Sequence, residues 1–583
     1  MSITCQNRVV FIYNGNCPIP SAIQDGPIYI IGGFLLREYY MKKISTALLL
    51  GTAAAFAAES QIYAGNFFDE DGAYFGPDCD KDGTQSTGAY YTGDYTSPFK
   101  KYLGKTDEEI QKKLDDLWNH YFKGDGNSTV YYETNEGDAY VKDIGNNDAR
   151  SEGMSYGMMI AVQTNHKEEF DKLWKWTKAH MWHDPATGGD GYFSWSVETY
   201  GSVKDRGNAP DGEMYFMMSL LFAANRWNDE GYMKDAQAIL KACWKGNGNS
   251  LFNEQSYIVT FQPSQGNNSW SDPSYSLPAF VDLFTRWSET NNDKWGKATE
   301  ATRTHLYVSS NKQSGLFSDY NNFDGTPHAV EFNGNATKYM YDAMRCAMNF
   351  GMDYYLFGVD ADRETEMAKR IIDFFERDGY QHGRFNWDGS NPSESYTTGE
   401  KGANAVATYA LMNDASYEAA IKKNLEMAWN ERFMTGQYRY YDGLVHYLAM
   451  LHLSGAFKIW KPKPTVESEE KTIEPGEYNG VSYKDGDKVD YFEGCKLYKA
   501  TVSGKAIEAI APSVAMNNGV KVYSTNNAIV IDNAPAGTKY TVTDMNGRVL
   551  AASRTNSASQ EIRLGSKGVM LVIVGNKTYR VSK

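Results

Sequence analysis

Cysteine is scarce in this sequence: six residues among 583, spaced too far apart for a metal-binding motif. After position 58 the sequence also lacks an apolar run of about 18 residues, which excludes a membrane-spanning helix from the processed chain. Basic residues number 58 against 73 acidic ones, so the formal net charge is −15 and the pI about 5.2. An acidic chain repels phosphate, which argues against nucleic acid as a partner. We expect neither a metal ion nor another cofactor.

The first 58 residues read as a leader and a signal peptide. Residues 1–40 have no clear folding pattern and are interpreted as a non-native leader, the alternative being a genuine N-terminal extension. Residues 41–58 contain a basic start, an apolar core and a cleavage site of the A-x-A type at 55–57. These features predict a secreted protein, outside or on the surface of a bacterial cell.

Four cysteines remain after this leader. Cys243 and Cys346 lie in apolar helical patterns and are expected to be buried thiols. A disulfide at Cys79 is possible, but the sequence does not assign its partner. The segment 78–83 resembles the opening of a calcium loop, yet Ala89 stands where a bidentate glutamate belongs, so we expect a solvated loop.

The pattern of the chain changes near residue 460. Residues 66–460 contain about a dozen amphipathic helical patterns joined by loops rich in glycine and aromatics, which favours a closed ring of helical hairpins. Residues 461–475 are rich in proline and charge and read as a linker. Residues 476–583 contain short β-branched runs and turn dipeptides, which predict a small β-sandwich.

Three acidic residues stand at similar places in separate helical patterns: Glu152, Asp211 and Asp342. In the first pattern Ser151 or Asp148 is a suitable N-cap, which puts Glu152 in the first turn. A glutamate there is either a partner of the helix dipole or a catalytic acid. In a ring of helical hairpins the early turns of the inner helices meet at one end, so the three acids would line one cleft.

Glycoside hydrolysis requires one carboxyl group that holds a proton and one that is ionised. Arg345 lies three residues after Asp342, on the same helical face, and would keep that carboxylate charged. Glu152 has to keep its proton against the helix dipole, which requires burial near Tyr156 and the nearby charge of Asp211.

Aromatic residues make up 14% of the sequence, including 42 Tyr and 13 Trp. Most are expected in the core, but Trp195 and Tyr275 lie in loops beside glycine or proline, which weakens the case for core packing and makes them candidates for stacking on sugar rings.

Five segments in this order resemble glycoside hydrolase family 8, on its xylan-active side. They are 150–159 (RSEGMSYGMM), 209–213 (APDGE), 271–275 (SDPSY), 342–345 (DAMR), and 439–442 (RYYD) leading to 453–460 (LSGAFKIW). The resemblance covers residues 66–460 and implies an (α/α)6 barrel that cleaves with inversion at the anomeric carbon.

The resemblance also implies roles for individual residues. Glu152 would be the general acid, Asp342 the base that activates water, and Asp211 would hold the distorted sugar. The subsite around the cleaved bond would be shaped by Trp195, Tyr275, Arg345, and Tyr440 or Tyr441. The acid and base of an inverting enzyme stand roughly 6.5–9.5 Å apart.

Members of this family act either inside a xylan chain or as exo-enzymes that release xylose from the reducing end. The exo-enzymes carry a Leu-His-Pro loop that blocks the cleft, whereas the corresponding stretch here, 394–400, reads ESYTTGE. This departure favours an open cleft and an endo-β-1,4-xylanase acting on xylan or xylo-oligosaccharides. We expect the enzyme to be a monomer. A reducing-end exo-oligoxylanase and a cellulase or lichenase are the alternatives within the family.

The tail from residue 522 onward is similar to C-terminal sorting domains of type IX secretion, and a carbohydrate-binding β-module is the alternative. Outside the hydrolases, a glycan-binding protein on a decayed barrel is disfavoured by the intact acid trio. A polysaccharide lyase is also disfavoured, because it would require a Tyr/His or Lys base and an anionic substrate.

Overall fold

The computed structural model describes residues 62–504 except 265 and 480, and residues 520–582 with short gaps. Before residue 62 it describes only the backbone of four short strands: β1 Ser2–Cys5, β2 Arg8–Phe11, β3 Ile28–Ile31 and β4 Phe34–Arg37. The predicted signal peptide lies outside the described residues. The chain divides into two units, and the boundary follows Gly504.

Helices dominate the first unit. In chain order they are α1 Ala89–Thr92, α2 Pro98–Leu103, α3 Asp107–Phe122, α4 Ser151–Gln163, α5 Lys167–His180, α6 Pro210–Trp227, α7 Glu230–Ala242, α8 Pro278–Trp287, α9 Asn292–Ser309, α10 Arg345–Leu356, α11 Ala361–Asp378, α12 Thr398–Ala407, α13 Glu418–Asn430 and α14 Tyr441–Ser454. The even-numbered helices from α4 onward bury most of their residues, whereas the odd-numbered helices from α5 onward each expose a polar face. This alternation is typical of inner helices covered by an outer layer.

The inner helices contact one another in chain order. Helix α4 packs on α6, α8 on α10, α10 on α12 and α12 on α14, and α14 returns to α4. Between α6 and α8 the contact runs through the rings of Tyr215 and Phe280, whose centroids lie 4.9 Å apart. Pro210 and Pro278 begin α6 and α8, because a first-turn proline removes an N–H that would have no partner.

Short strands lead into the inner helices. They are β6 Tyr131–Glu133, β7 Ala139–Val141, β8 Asp148–Arg150, β9 Ser196–Glu198, β10 Val203–Asp205, β11 Trp270–Ser271, β12 Asn321–Asn322, β13 Lys338–Tyr339, β14 His382–Asn386 and β15 Ser393–Ser395. Strand β8 pairs with β9 and runs directly into α4, so the backbone entering this helix is held by a sheet.

The first unit also contains a sheet that the sequence analysis assigned elsewhere. Its strands are β5 Ile62–Gly65, β16 Lys471–Ile473, β19 Lys488–Glu493 and β20 Lys496–Val502. Strand β5 pairs with β19, β19 with β20, and β20 with β16. Strands β17 Gly476–Tyr478 and β18 Val481–Tyr483 form a separate hairpin, which lies between β16 and β19 in sequence. The predicted linker at 461–475 and β-region from 476 therefore differ from the observed boundary at Gly504. The reason is that β19 pairs with β5, which is distant in sequence, and that the buried Lys461 side chain donates to the carbonyl oxygens of Gly76 and Tyr90.

A disulfide between Cys79 and Cys495 fastens this sheet to the loop near the start of the unit. Cys243 and Cys346 are buried free thiols, as the sequence predicts. In the loop at 78–83, Asp80 pairs with Arg286 and Asp78 accepts the hydroxyl of Tyr90, so these carboxylates serve packing.

The second unit consists of strands. Strands β21 Lys521–Ser524, β22 Ile529–Asp532 and β25 Ser559–Ile562 form one antiparallel sheet, and β23 Lys539–Asp544, β24 Val549–Arg554, β26 Val569–Val574 and β27 Lys577–Ser582 form another. Both sheets contribute to one apolar core, in which Ile531, Val542 and Val572 are fully buried. Among the described helices, none has the length and apolar character that a membrane span needs.

Candidate active site

Glu152 lies in the first turn of α4, directly after strand β8. Arg150 precedes the helix in an extended conformation, and no side chain caps the helix. The predicted cap at Ser151 or Asp148 is therefore wrong. In the pairing of β8 with β9, Asp148 stands opposite Glu198 and Arg150 opposite Ser196. The Ser196 hydroxyl donates to Asp148 Oδ2 at 2.8 Å.

The residue after the glutamate makes room for a tyrosine. A Cβ atom on Gly153 would collide with the ring of Tyr440. Because position 153 has no side chain, the Tyr440 hydroxyl reaches Glu152 and donates to Oε1 at 3.2 Å. Gly153 thus allows Tyr440, directly before α14, to form a hydrogen bond with one oxygen of Glu152.

Asp211 and Asp342 approach Glu152 from neighbouring elements. Asp211 is buried in the first turn of α6. Asp342 was expected within a helical segment, but it stands in the turn before α10, which begins at Arg345. That turn is fixed by Asp319, whose Oδ1 accepts the backbone N–H groups of Met340 at 3.2 Å and of Ala343 at 3.0 Å.

Arg345 joins these acids. Its Nη1 donates to Glu152 Oε2 at 3.1 Å and also to Asp211 and to the Tyr156 hydroxyl. Its Nη2 lies 3.4 Å from Asp342 Oδ1, a longer contact. The sequence analysis assigned Arg345 mainly to Asp342, but the closer carboxylates are Glu152 and Asp211, because the guanidinium extends from the start of α10 toward α4 and α6.

The buried environment changes the protonation of these groups. Burial raises the pKa of Glu152 to about 7, with Arg345 opposing the shift and the nearby Asp211 and Asp342 adding to it. Burial also raises the pKa of Asp342, and the positive charges of Arg345 and Arg150 oppose that rise. At Glu152, burial and the neighbouring carboxylates therefore outweigh the opposing positive charges of Arg345 and Arg150.

The acids lie where two arms of a cleft meet. The first arm, a cavity of about 510 Å³, is lined by Trp195, Tyr275 and Phe332. The second arm, of about 430 Å³, is lined by Tyr341, Tyr438, Tyr440 and Tyr441. Glu152, Asp342 and Arg150 line both arms. Every residue that the sequence analysis selected for the site is thus brought to one cleft.

The sequence that builds this cleft matches a known family of enzymes. The family model described as "Glycosyl hydrolases family 8" matches residues 129–455, more than half of the chain. The chain belongs to glycosyl hydrolases family 8. It is therefore a glycoside hydrolase, and homologues of this family imply an (α/α)6 barrel for its helical unit.

The curated relatives include exo-oligoxylanases and endoglucanases. A reducing end xylose-releasing exo-oligoxylanase of Halalkalibacterium halodurans is 36% identical over 387 residues, which is 64% of this chain and 97% of the relative. Endoglucanase A of Acetivibrio thermocellus is 26% identical over 325 residues, 54% of this chain and 63% of the relative. Among solved structures, Rex8A of Paenibacillus barcinonensis in complex with xylose has a TM-score of 0.60 at 34% identity, covering 64% of this chain and all of that one.

The family 8 site also contains residues that the sequence analysis did not select. Asp272 is fully buried, and its Oδ2 lies 3.8 Å from Arg345 Nη2 without a hydrogen-bond partner among the described residues. Ser274 accepts a hydrogen bond from the same Nη2 at 2.7 Å. Both belong to the segment 271–275, from which only Tyr275 was chosen, because its ring suggested sugar stacking. Asp319 had no sequence signal, since its role depends on a turn distant in sequence.

No group of His, Cys, Asp and Glu in the described part of the chain is arranged to hold a metal ion. The cleft instead offers a carboxyl group with a raised pKa, further carboxylates and a shared guanidinium. Such a set can donate a proton to a leaving oxygen on one side of a sugar and remove a proton from water on the other.

Proposed function

We propose that this family 8 enzyme hydrolyses β-1,4-linked xylo-oligosaccharides with inversion, on an (α/α)6 barrel and as a monomer. Glu152 donates its proton to the leaving glycosidic oxygen, and Asp342 removes a proton from the attacking water. Asp211 holds the distorted sugar between them. The observation that carries the proposal is the position of Glu152, partly buried where both arms of the cleft meet, with its pKa raised to about 7.

The mode of attack that we favour is release of xylose from the reducing end. Three curated relatives at 34–36% identity are named as enzymes of that activity. The stretch 394–400 lacks Leu-His-Pro, but Glu394 Oε2 accepts the hydroxyl of Tyr341 at 2.9 Å, and Tyr341 lines the second arm. In the proposed mode, this pair of side chains limits how many sugar units fit beyond the cleaved bond.

Internal cleavage of xylan is the second candidate. It is favoured by the absence of the blocking tripeptide and by the presence of a cavity on both sides of the acids. Endoglucanases among the relatives also make cellulose or lichenan a necessary control substrate.

Product analysis distinguishes these modes. Digestion of xylohexaose should first release xylose and xylopentaose, and polymeric xylan should lose viscosity slowly. Early xylobiose and xylotriose with rapid viscosity loss would instead establish the endo mode. NMR of fresh products should show the α-anomer at the new reducing end, and a β-anomer would contradict inversion.

We also propose that the enzyme is secreted and that its second unit serves type IX sorting. The disulfide between Cys79 and Cys495 supports an oxidising compartment. Mass spectrometry of culture medium should find a mature chain that begins near residue 58 and lacks the second unit. A cytoplasmic chain that retains residues 41–58 would refute secretion.

A further inference from the structure

Phe332 is unusual among the rings of the cleft because its side chain is largely exposed. The residue is 68% exposed, whereas Tyr275 in the same arm is 8% exposed. A phenylalanine exposed to this extent gains only a small part of the free energy that full burial of its ring would provide. A ring held in this state on the wall of a binding cleft is placed to contact a ligand.

The base of the Phe332 loop is anchored, so the ring is held in place before any ligand binds. Phe332 lies in a tight turn closed by a bridge between Val330 and Asn333. Behind it, Trp270 and Tyr320 form a small buried cluster on which Phe261 packs. The Phe332 ring lies against two of these residues, with centroids 6.0 Å from Phe261 and 6.1 Å from Tyr320.

A series of rings connects Phe332 with the acids. Tyr275 lines the same arm of the cleft as Asp211 and Asp342. Phe261 lies 6.3 Å from Tyr275 with nearly parallel rings, and Phe332 is one further step of 6.0 Å along the arm. Phe332 is therefore separated from the reacting centre by two ring-to-ring steps.

We propose that Phe332 is a specificity-determining residue that stacks on a sugar ring bound away from the cleaved bond, in the first arm of the cleft. The proposal rests on the proposed function and adds a chain-length preference to it. The apolar face of a pyranose suits an exposed aromatic ring, and a rigid ring loses little conformational entropy on binding. Substrates long enough to reach Phe332 gain this contact, while shorter ones do not.

The experiment compares Phe332→Ala with the wild-type enzyme on xylobiose, xylotriose, xylotetraose, xylopentaose and xylohexaose. Loss of one stacked ring should raise KM for the two longest substrates by about tenfold and leave it within about twofold for the shortest that is cleaved. Phe332→Tyr should restore the wild-type pattern, since it keeps the ring. Tyr200→Ala is the matched control, because Tyr200 is 79% exposed in the turn between β9 and β10.

Binding measured by calorimetry separates affinity from turnover. In a Glu152→Gln background, Phe332→Ala should weaken xylohexaose binding by the same factor and leave xylotriose binding unchanged. A KM change that is equal for all lengths, or absent for all, overturns the role of Phe332 while activity on xylo-oligosaccharides still supports the proposed function. If the wild-type enzyme cleaves none of the five, both proposals fail.

Discussion

The structure contains two buried arginines that each join carboxylates from different helices, and they differ in how tightly they do so. Arg303 binds both oxygens of Asp353, at 2.7 and 2.9 Å, and Asp282 at 2.8 Å. Arg345 is shared among Glu152, Asp211, Asp342 and Asp272, and three of these contacts are 3.1 Å or longer.

This difference separates a structural ion pair from a chemical site. The fork of Arg303 matches one carboxylate in a bidentate geometry, which stabilises both charges. Arg345 has too few N–H groups to bind four carboxylates in this way. Protonation of at least one of the four acids therefore costs less free energy than burial of one more negative charge. Access to the cleft at Glu152 then makes that proton available to a substrate.

The largest expected effect is on catalysis at the Arg345 cluster. Glu152→Gln keeps the size of the side chain but removes the transferable proton, so kcat on xylo-oligosaccharides should fall by about 10³-fold. Calorimetry should show that xylohexaose still binds within about threefold of wild type. A variant with near-normal kcat would show that Glu152 is not the general acid. The Arg345 and Arg303 clusters would then not differ in function.

The matching change at the Arg303 cluster should act on stability instead. Asp353→Asn leaves the guanidinium without its bidentate partner, which should lower the free energy of unfolding by about 3–5 kcal/mol. The kcat of the folded variant, measured well below its melting temperature, should stay within about twofold of wild type. If denaturant unfolding shows no loss of stability in Asp353→Asn, the shorter contacts of Arg303 do not make its cluster more stabilising than that of Arg345.

The contrast also shows what could be predicted from sequence. The alternation of helices, the three acids and the tyrosines next to Asp442 follow from local periodicity and from motifs, and the structure brings all of these residues to one cleft. The partners of Arg345 could not be predicted in this way. Spacing of three residues suggested Asp342, whereas the observed geometry depends on how α4, α6 and α10 pack together.

The boundary of the second unit could not be predicted either, because it also depends on contacts between residues that are distant in sequence. Proline and charge at 461–475 are typical of a linker, yet β19 pairs with β5 near the start of the described chain. A strand pair separated by more than 400 residues has no local signal, and the disulfide of Cys79 has its partner in the same distant region.

The next effect is the pH dependence that the Arg345 cluster should confer on stability. Glu152 has a pKa of about 7 in the folded protein and 4.5 as its ordinary value, so the folded state binds the proton more tightly. Stability should therefore fall as the pH rises from about 4.5 to 7, by about 3 kcal/mol. Glu152→Gln has no such proton, so it should be more stable than wild type at pH 8 and equal to it at pH 4.

Melting temperatures of the wild type and of Glu152→Gln, measured from pH 4 to 8, give the difference in stability between them. Asp353→Asn, from the Arg303 cluster, serves as the reference. The same proton should set the alkaline limb of kcat/KM near pH 7. Parallel melting curves for wild type and Glu152→Gln across the range would mean that Glu152 is ionised throughout, and the comparison between the clusters would lose its physical basis.

The smallest expected effect concerns Asp272, which is either neutral or a fourth anion beside Arg345. Burial raises the pKa of Asp272 well above its ordinary value, and its Oδ1 accepts the backbone N–H of Ser274 at 2.7 Å. A neutral Asp272 draws none of the positive charge of Arg345 away from Glu152 and Asp211. Asp272→Asn keeps the shape and the acceptor, so kcat/KM should change by less than about threefold, with its alkaline limb unmoved. A limb displaced by a full pH unit would show instead that Asp272 is charged and that the guanidinium serves four anions.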